Sequence, residues 1–396
     1  MGAASEAPAR VPVNPAVLRE ARERASLTPN DAIALLNKLL KREGAGAVAA
    51  AQLRSWEEGA GKPSLLEAEI LAEAYLIPFV ALLQTQLPSR SMTDFRLGPG
   101  RKSVPLSYDT LEKLHRFSRF YLVAKRVSVG LGLAEDVAVP DVDLADVQDM
   151  ADIEVTASRL RSSLDVSESA QLSWESDEVA LNAWRGSLET AGVFVFELPM
   201  AVGECRGASL WEPGGPPAIL LNTADTTAAQ LFTLMHEAAH LMFAKRGGSV
   251  NLCDPSVPTR HREERLANQL AAASLLPRTL LMPQLPHPVP AQNYQEWPRK
   301  ERDRLRRSLK ASNAVIGIRL QQLGIISDAG VKALWRRPST FPPRGISRPV
   351  WQRYRRYLGA RTTRLALRGI EAKVVSAAEL SRILDIKVKD VEAMLR

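Results

Sequence analysis

Apolar residues recur at helical spacing over most of the chain, and the punctuation between them marks the ends of the helices. Val17, Leu18, Ala21 and Ala25 line one face of a first helix. Thr28 followed by Pro29 reads as the cap and first position of a second helix, running through NDAIALLNKLL. AVAAAQLRSWEEG predicts a third helix ending near Gly59, and Ser64 caps a fourth over SLLEAEILAEAYL that Pro78 stops. Residues 89–105 turn polar and rich in glycine and proline, as a linker does. Leu111, Leu114, Phe117, Phe120, Tyr121 and Ala124 then share one side of a long amphipathic helix. Two further helices follow over about 153–164 and 178–191, the second closed by Gly192.

The period changes after Gly192. VFVFEL (193–198), GASLW (207–211) and AILLN (218–222) are β-branched and aromatic, with turn residues between them, and predict a small antiparallel sheet. A helix over TTAAQLFTLMHEAAHLMFAKR comes next, stopped by Gly247 and Gly248, and after a loop EERLANQLAAASLLP forms another that ends at Pro277. Residues 282–298 are proline-rich and read as linker, and the remainder is helical with an arginine-rich surface. The expected fold is mainly α with a small antiparallel β-sheet, an α+β core flanked by helical regions. The expected divisions are a disordered leader over 1–12, a helical domain over 13–88, a linker and helical connector over 89–149, a core domain over 150–281 and a basic helical region over 282–396.

Composition narrows the class. A chain of 396 residues is long enough for two or three domains, and 45% hydrophobic with 24% charged residues excludes wholesale disorder. The apolar run Ala74–Leu83 is interrupted by Pro78 and spans half of the roughly 20 residues a membrane helix needs, so no membrane role is expected. The first residues lack the apolar segment of a secretory signal. Two cysteines, Cys205 and Cys253, make neither a disulfide framework nor a four-thiolate metal site, so a cytoplasmic setting is the default. The net charge of +8 is unevenly placed: residues 299–368 carry 19 basic and 3 acidic side chains, leaving the rest of the chain acidic.

His236-Glu237-Ala238-Ala239-His240 carries the sharpest chemistry. Imidazoles at i and i+4 on a helix reach one tetrahedral Zn²⁺, and the intervening glutamate stands one step round, where it can hold a water instead of the metal. A third protein ligand is needed. Phe243 and Arg246 exclude the pattern that places a third histidine six residues after the second. Glu263 and Glu264 on the next helix, and His261 just before it, are the candidates. Glu264 shares a face with the small residues Ala267 and Ala271, which would let two helices approach closely. For the group that stabilises the oxyanion, His261, Arg206 and the tyrosines are all open.

The short sheet, the FTLMHEAAH helix and the ERLANQLAAASLLP helix together resemble the ImmA/IrrE family of metallo-endopeptidases. The resemblance covers about residues 150–280. It departs from the family in Leu270, where an aromatic is usual, and in the missing methionine before Pro277. It implies a zincin-like core with His236, His240 and Glu264 as zinc ligands and Glu237 as general base. It further implies a peptide laid along the sheet edge, and a protein substrate such as a transcriptional repressor in a bacterial stress or mobile-element response.

Leu18, Ala21, Trp56, Glu57, Gly59, Pro63, Leu71, Ala72, Tyr75 and Pro78 resemble an XRE-type helix-turn-helix domain, which implies DNA as a partner. Base reading needs long polar side chains at the groove, and the alanine-rich stretch before the third helix offers only Gln52, Arg54 and Ser55. Residues 13–88 carry 8 basic and 9 acidic groups, which speaks for packing or protein recognition over phosphate binding. In the C-terminal region Arg353, Arg355 and Arg356 interleave with Trp351, Tyr354 and Tyr357, a pattern that suits nucleic acid, an acidic protein or docking within the chain. The leading expectation is a zinc-dependent endopeptidase. The alternatives are a DNA-binding regulator with a structural metal site, and an antitoxin-like interaction module.

Overall fold

The computed structural model describes residues 10–87, 106–244, 249–253, 262–327 and 349–396. These fall into two compact units, residues 10–87 with 106–115 and residues from 116 onward.

The first unit is built on α1 (Pro15–Arg24), α2 (Pro29–Arg42), α3 (Ala50–Glu57) and α4 (Leu65–Ala74). Their starts are where cap chemistry puts them. Thr28 and Ser64 each form a reciprocal capping box, with Asp31 and Glu67 respectively. Leu18, Ala32, Leu36, Leu53, Trp56, Leu71 and Tyr75 make its core. Inside it Arg22 forks onto Glu57, at 2.8 and 3.2 Å, and also donates to the Leu27 carbonyl. Of the expected leader and linker, residues 1–9 and 89–105 lie outside the described residues, whereas Arg10 bridges to Ser64 and the Val11 N–H donates to the Pro63 carbonyl.

The second unit is organised by a sheet of β1 (Phe194–Leu198), β2 (Gly207–Trp211), β3 (Ala218–Asn222) and β4 (Ser249–Cys253), in the order β1-β3-β2-β4. The sheet is mixed, which corrects the antiparallel expectation in one pairing. β2 runs antiparallel to both β3 and β4, but β1 lies parallel to β3. The reason is connectivity: the β2–β3 hairpin inserts β3 between β1 and β2, so the loop after Leu198 crosses over one strand. β4 was expected as loop, because SVNLC is short and only weakly alternating.

β1, β2 and β3 are buried from end to end, since both faces of the sheet are covered. One face, with Val195, Ile219 and Leu221, packs against α8 (Asp177–Thr190) and α9 (Thr227–Phe243) in a core that also takes in α6 (Met150–Ser163) and α10 (Arg262–Leu275). On the other face Phe196 meets Phe117 and Phe120 of α5 (Tyr108–Gly130). There α14 (Val350–Glu371) also docks, with Tyr354 against Phe120 and Arg361 over Phe194. α14 bends at Gly359, whose φ of 76° and tight seat against Arg185 and the Val195 carbonyl admit no side chain. The connector helix and α14, both expected in regions of their own, thus pack onto the sheet. The proline-rich stretch expected as linker also joins the core, through Tyr294 and Trp297. No helix among the described residues is long and apolar enough to cross a membrane.

Candidate metal centre

α9 is capped by the Thr226 side chain, which accepts from the Ala229 N–H, and runs through the core with Gln230 to Phe243 buried except Phe232. Its two histidines face α10. The small side chains Ala238 and Ala239 on one helix and Ala267 and Ala271 on the other are completely buried, so the backbones come close enough for first-turn carboxylates of α10 to reach both rings.

His236 Nε2 and His240 Nε2 lie 3.1 Å apart, and Glu264 brings one oxygen to 3.5 Å from His236 Nε2 and the other to 3.6 Å from His240 Nε2. Metal–nitrogen bonds of 2.0–2.1 Å at tetrahedral angles hold donor atoms about 3.3 Å apart. The three separations straddle that value, so His236, His240 and Glu264 form a group that could hold a metal ion, as their ligand types and spacing require. The rings stand nearly perpendicular, with centroids 4.7 Å apart. Glu263 is the neighbour in register and has a different part: it accepts from His240 Nδ1 at 2.9 Å, on the side of the ring away from the cluster. That fixes which nitrogen is left for the metal. His261 lies outside the described residues.

Glu237 is fully buried, and neither of its carboxylate oxygens has a hydrogen-bond partner. A carboxylate stripped of water and left unbonded is costly, and it marks a place meant for something to bind. Burial raises its pKa; His236, His240 and the Ser209 hydroxyl pull the other way, and Glu264 adds to the rise. For Glu264 burial also acts upward, but the hydrogen bonds and charges of the two histidines hold it well below the usual carboxylate range. For His240 burial disfavours the charged ring, yet Glu263 and Glu264, with Glu237, outweigh it and push the pKa up to about 10. The donor set is two histidines and a carboxylate that could hold a metal ion, with a buried glutamate beside it.

Two residues at this site escaped the reading of the sequence, Gly207 and Ser209 on β2. A Cβ at Gly207 would sit 3.2 Å from Glu237 Oε1 and 2.5 Å from Thr233 Cγ2, so the glycine gives the carboxylate its room. GASLW does carry the signal, since Gly207 and Ser209 share one face at the period of a strand. Of the oxyanion candidates, Arg206 pairs with Asp225 at 3.5 Å, the Tyr121 hydroxyl accepts from the Glu212 N–H, and the Tyr294 hydroxyl bonds Asn313.

Of the residues expected to touch nucleic acid, Gln52 donates to Glu67 within the first unit, and Arg54 stands exposed on α3. Arg353, Arg355 and Arg356 are all exposed on α14, and Arg356 also reaches Glu197 of β1 at 3.4 Å.

Residues 188–321 match the IrrE N-terminal-like domain family, Peptidase_M78. The match runs from the end of α8 through the sheet, α9 and α10, and on past Pro277 to α13 (Asn313–Gln322); it does not reach the first unit. No curated protein and no solved structure matches the chain.

Proposed function

We propose that this chain is a zinc-dependent endopeptidase whose substrate is a protein, such as a transcriptional repressor cleaved in a stress or mobile-element response. The match over residues 188–321 supports a metallopeptidase-like role in general. The observation that carries the finer reading is the convergence of His236, His240 and Glu264 beside a buried glutamate with two unbonded oxygens.

His236, His240 and Glu264 would hold the zinc, and Glu263 would keep His240 in the tautomer that presents Nε2. A bound zinc ion supplies a Lewis acid that polarises a peptide carbonyl and makes water acidic near neutral pH. Glu237 accepts the proton of the attacking water and hands it to the departing amine nitrogen. β4 is an edge strand of the sheet among the described residues, and its outer edge would offer backbone groups to an extended peptide, the way a strand is added to a sheet.

Metal analysis of the full chain tests this reading, with His236→Ala and Glu264→Ala beside it. The expected result is one zinc per chain in the parent and a large loss in both variants. Cleavage of a co-expressed repressor should require the metal and vanish in Glu237→Gln, which keeps the ligands. A parent chain that takes up no zinc would overturn the proposal.

A further inference from the structure

We propose that Ser209 is a positioning residue for Glu237: its hydroxyl donates to one carboxylate oxygen and leaves the other turned toward the attacking water. This rests on the peptidase reading above. Ser209 sits in the middle of β2, 1% exposed, with its hydroxyl buried and without a hydrogen-bond partner. Alternation along the strand puts it on the same face as Gly207, the face that meets α9 at Thr233 and Glu237. Its neighbour across the sheet on β3 is the apolar Ile219, so β3 offers the hydroxyl no side-chain acceptor.

Across the sheet Ser209 faces Ile219 on β3 and Asn251 on β4. A hydroxyl left unbonded at so buried a strand position costs about 1–3 kcal/mol. The cost is recovered only if the hydroxyl finds an acceptor, and Glu237 presents two unbonded oxygens on the facing helix. Without a donor, the Glu237 carboxylate is free to rotate about its last torsion, which is broad for a glutamate. One hydrogen bond from the strand fixes the plane of the carboxylate and so aims its second oxygen. Bonds of this kind are commonly long in an unliganded site and tighten when the ligand enters.

The test uses the full chain loaded with cobalt(II), whose visible absorption reports ligands at the metal, and acetohydroxamate as the probe. A hydroxamate chelates the metal and hydrogen-bonds the adjacent glutamate, so its affinity senses where that carboxylate points. Cobalt content and cobalt affinity should be equal in the parent, Ser209→Ala and Ser209→Thr. Ser209→Ala should bind acetohydroxamate about tenfold more weakly than the parent, the worth of one hydrogen bond to a charged group. Ser209→Thr keeps the hydroxyl and should stay within about threefold, a rescue that a merely packing role would not give. Parent-like affinity in Ser209→Ala, with Glu237→Gln impaired, overturns the role of Ser209 alone. Parent-like affinity in Glu237→Gln overturns the peptidase reading and this inference with it.

Discussion

Glu263 offers a sharp test of how the centre is assembled, because a slip of one residue along α10 would exchange its part with that of Glu264. Glu263 touches His240 at Nδ1, 2.9 Å away, and its side chain is 41% exposed. Glu264 is 12% exposed and lies between the two Nε2 atoms. Removing a partner that orients a ligating histidine typically lowers metal affinity by about 10–100-fold. Water can replace part of what a half-exposed carboxylate supplies, so the lower end applies. Glu263→Ala should therefore weaken zinc about tenfold, which is about 1.4 kcal/mol. Glu263→Gln keeps an acceptor but loses the charge. Charge-assisted bonds are roughly twice as strong as neutral ones, so the glutamine should forfeit about half, or about threefold. Glu264→Ala deletes a ligand and should cost far more than either. Competition with a chromophoric chelator measures all three. If Glu263→Ala costs as much as Glu264→Ala, Glu263 is itself a ligand and the geometry argued here is wrong. If it costs nothing, His240 needs no orienting partner.

Four other outcomes are expected. In the metal-free protein His240 keeps its proton up to a pH of about 10, while a metal requires the neutral ring, so zinc uptake near neutral pH should release a proton and weaken as pH falls. Titration calorimetry in buffers of different ionisation enthalpy reads that proton. The same raised pKa stabilises the metal-free fold fully below the ordinary histidine value of 6.5, and the contribution should fade as pH rises from there through about 10, seen as a falling melting temperature. In the first unit Glu57→Ala strands the buried Arg22 guanidinium and should destabilise that unit by about 3–5 kcal/mol in urea unfolding, whereas Arg22→Met with Glu57→Leu should recover most of the loss. Gly207→Ala forces a Cβ into Thr233 Cγ2 and should cost about 1–3 kcal/mol, relieved in part by Thr233→Ser; an unaltered midpoint in Gly207→Ala alone would show that β2 and α9 are not so close.

The histidines of the candidate metal site were legible because their spacing is a property of a single helix. His236 and His240 are one turn apart wherever that helix lies, and Glu264 follows from the face it shares with Ala267 and Ala271. The caps at Thr28 and Ser64 were legible for the same reason, being local chemistry. What escaped depends on partners distant in sequence. The parallel pairing of β1 with β3 is set by which strand the hairpin inserts, and nothing in VFVFEL states it. SVNLC is a strand because β2 offers it an edge, not because of its own pattern. Ser209 looked like a neutral residue in a strand until the facing helix put a carboxylate opposite it. Nor does the C-terminal sequence state that Arg361 donates to the Glu189 carbonyl or that Arg356 reaches Glu197, contacts that only the docked helix reveals.

A site divided between two helices works only if the helices cannot slide, and the far end of α10 shows how that is secured. Its last turn runs into Pro277, leaving carbonyls with no N–H to accept from within the helix. Three side chains from other elements take them. Arg161 of α6 donates to Ser274 O at 2.8 Å, and Gln171 of α7 (Glu168–Ser173) to Leu275 O at 2.8 Å. Arg319 of α13, completely buried, donates to Leu276 O at 2.7 Å and pairs with Glu154 of α6. Three consecutive carbonyls held from three elements define both the rotation of α10 and its position along its axis. A shift of one residue would break all three bonds at once, leaving charged donors buried without acceptors. The same shift would turn Glu264 about 100° away from the histidines, since 3.6 residues make a turn. The register of Glu264 is thus fixed by hydrogen bonds about three turns away from it. This gives the buried arginines a use that their desolvation cost alone would argue against. Arg319→Met, of similar length and without the charge, should therefore lower zinc affinity as well as stability, although it lies on neither metal-binding helix.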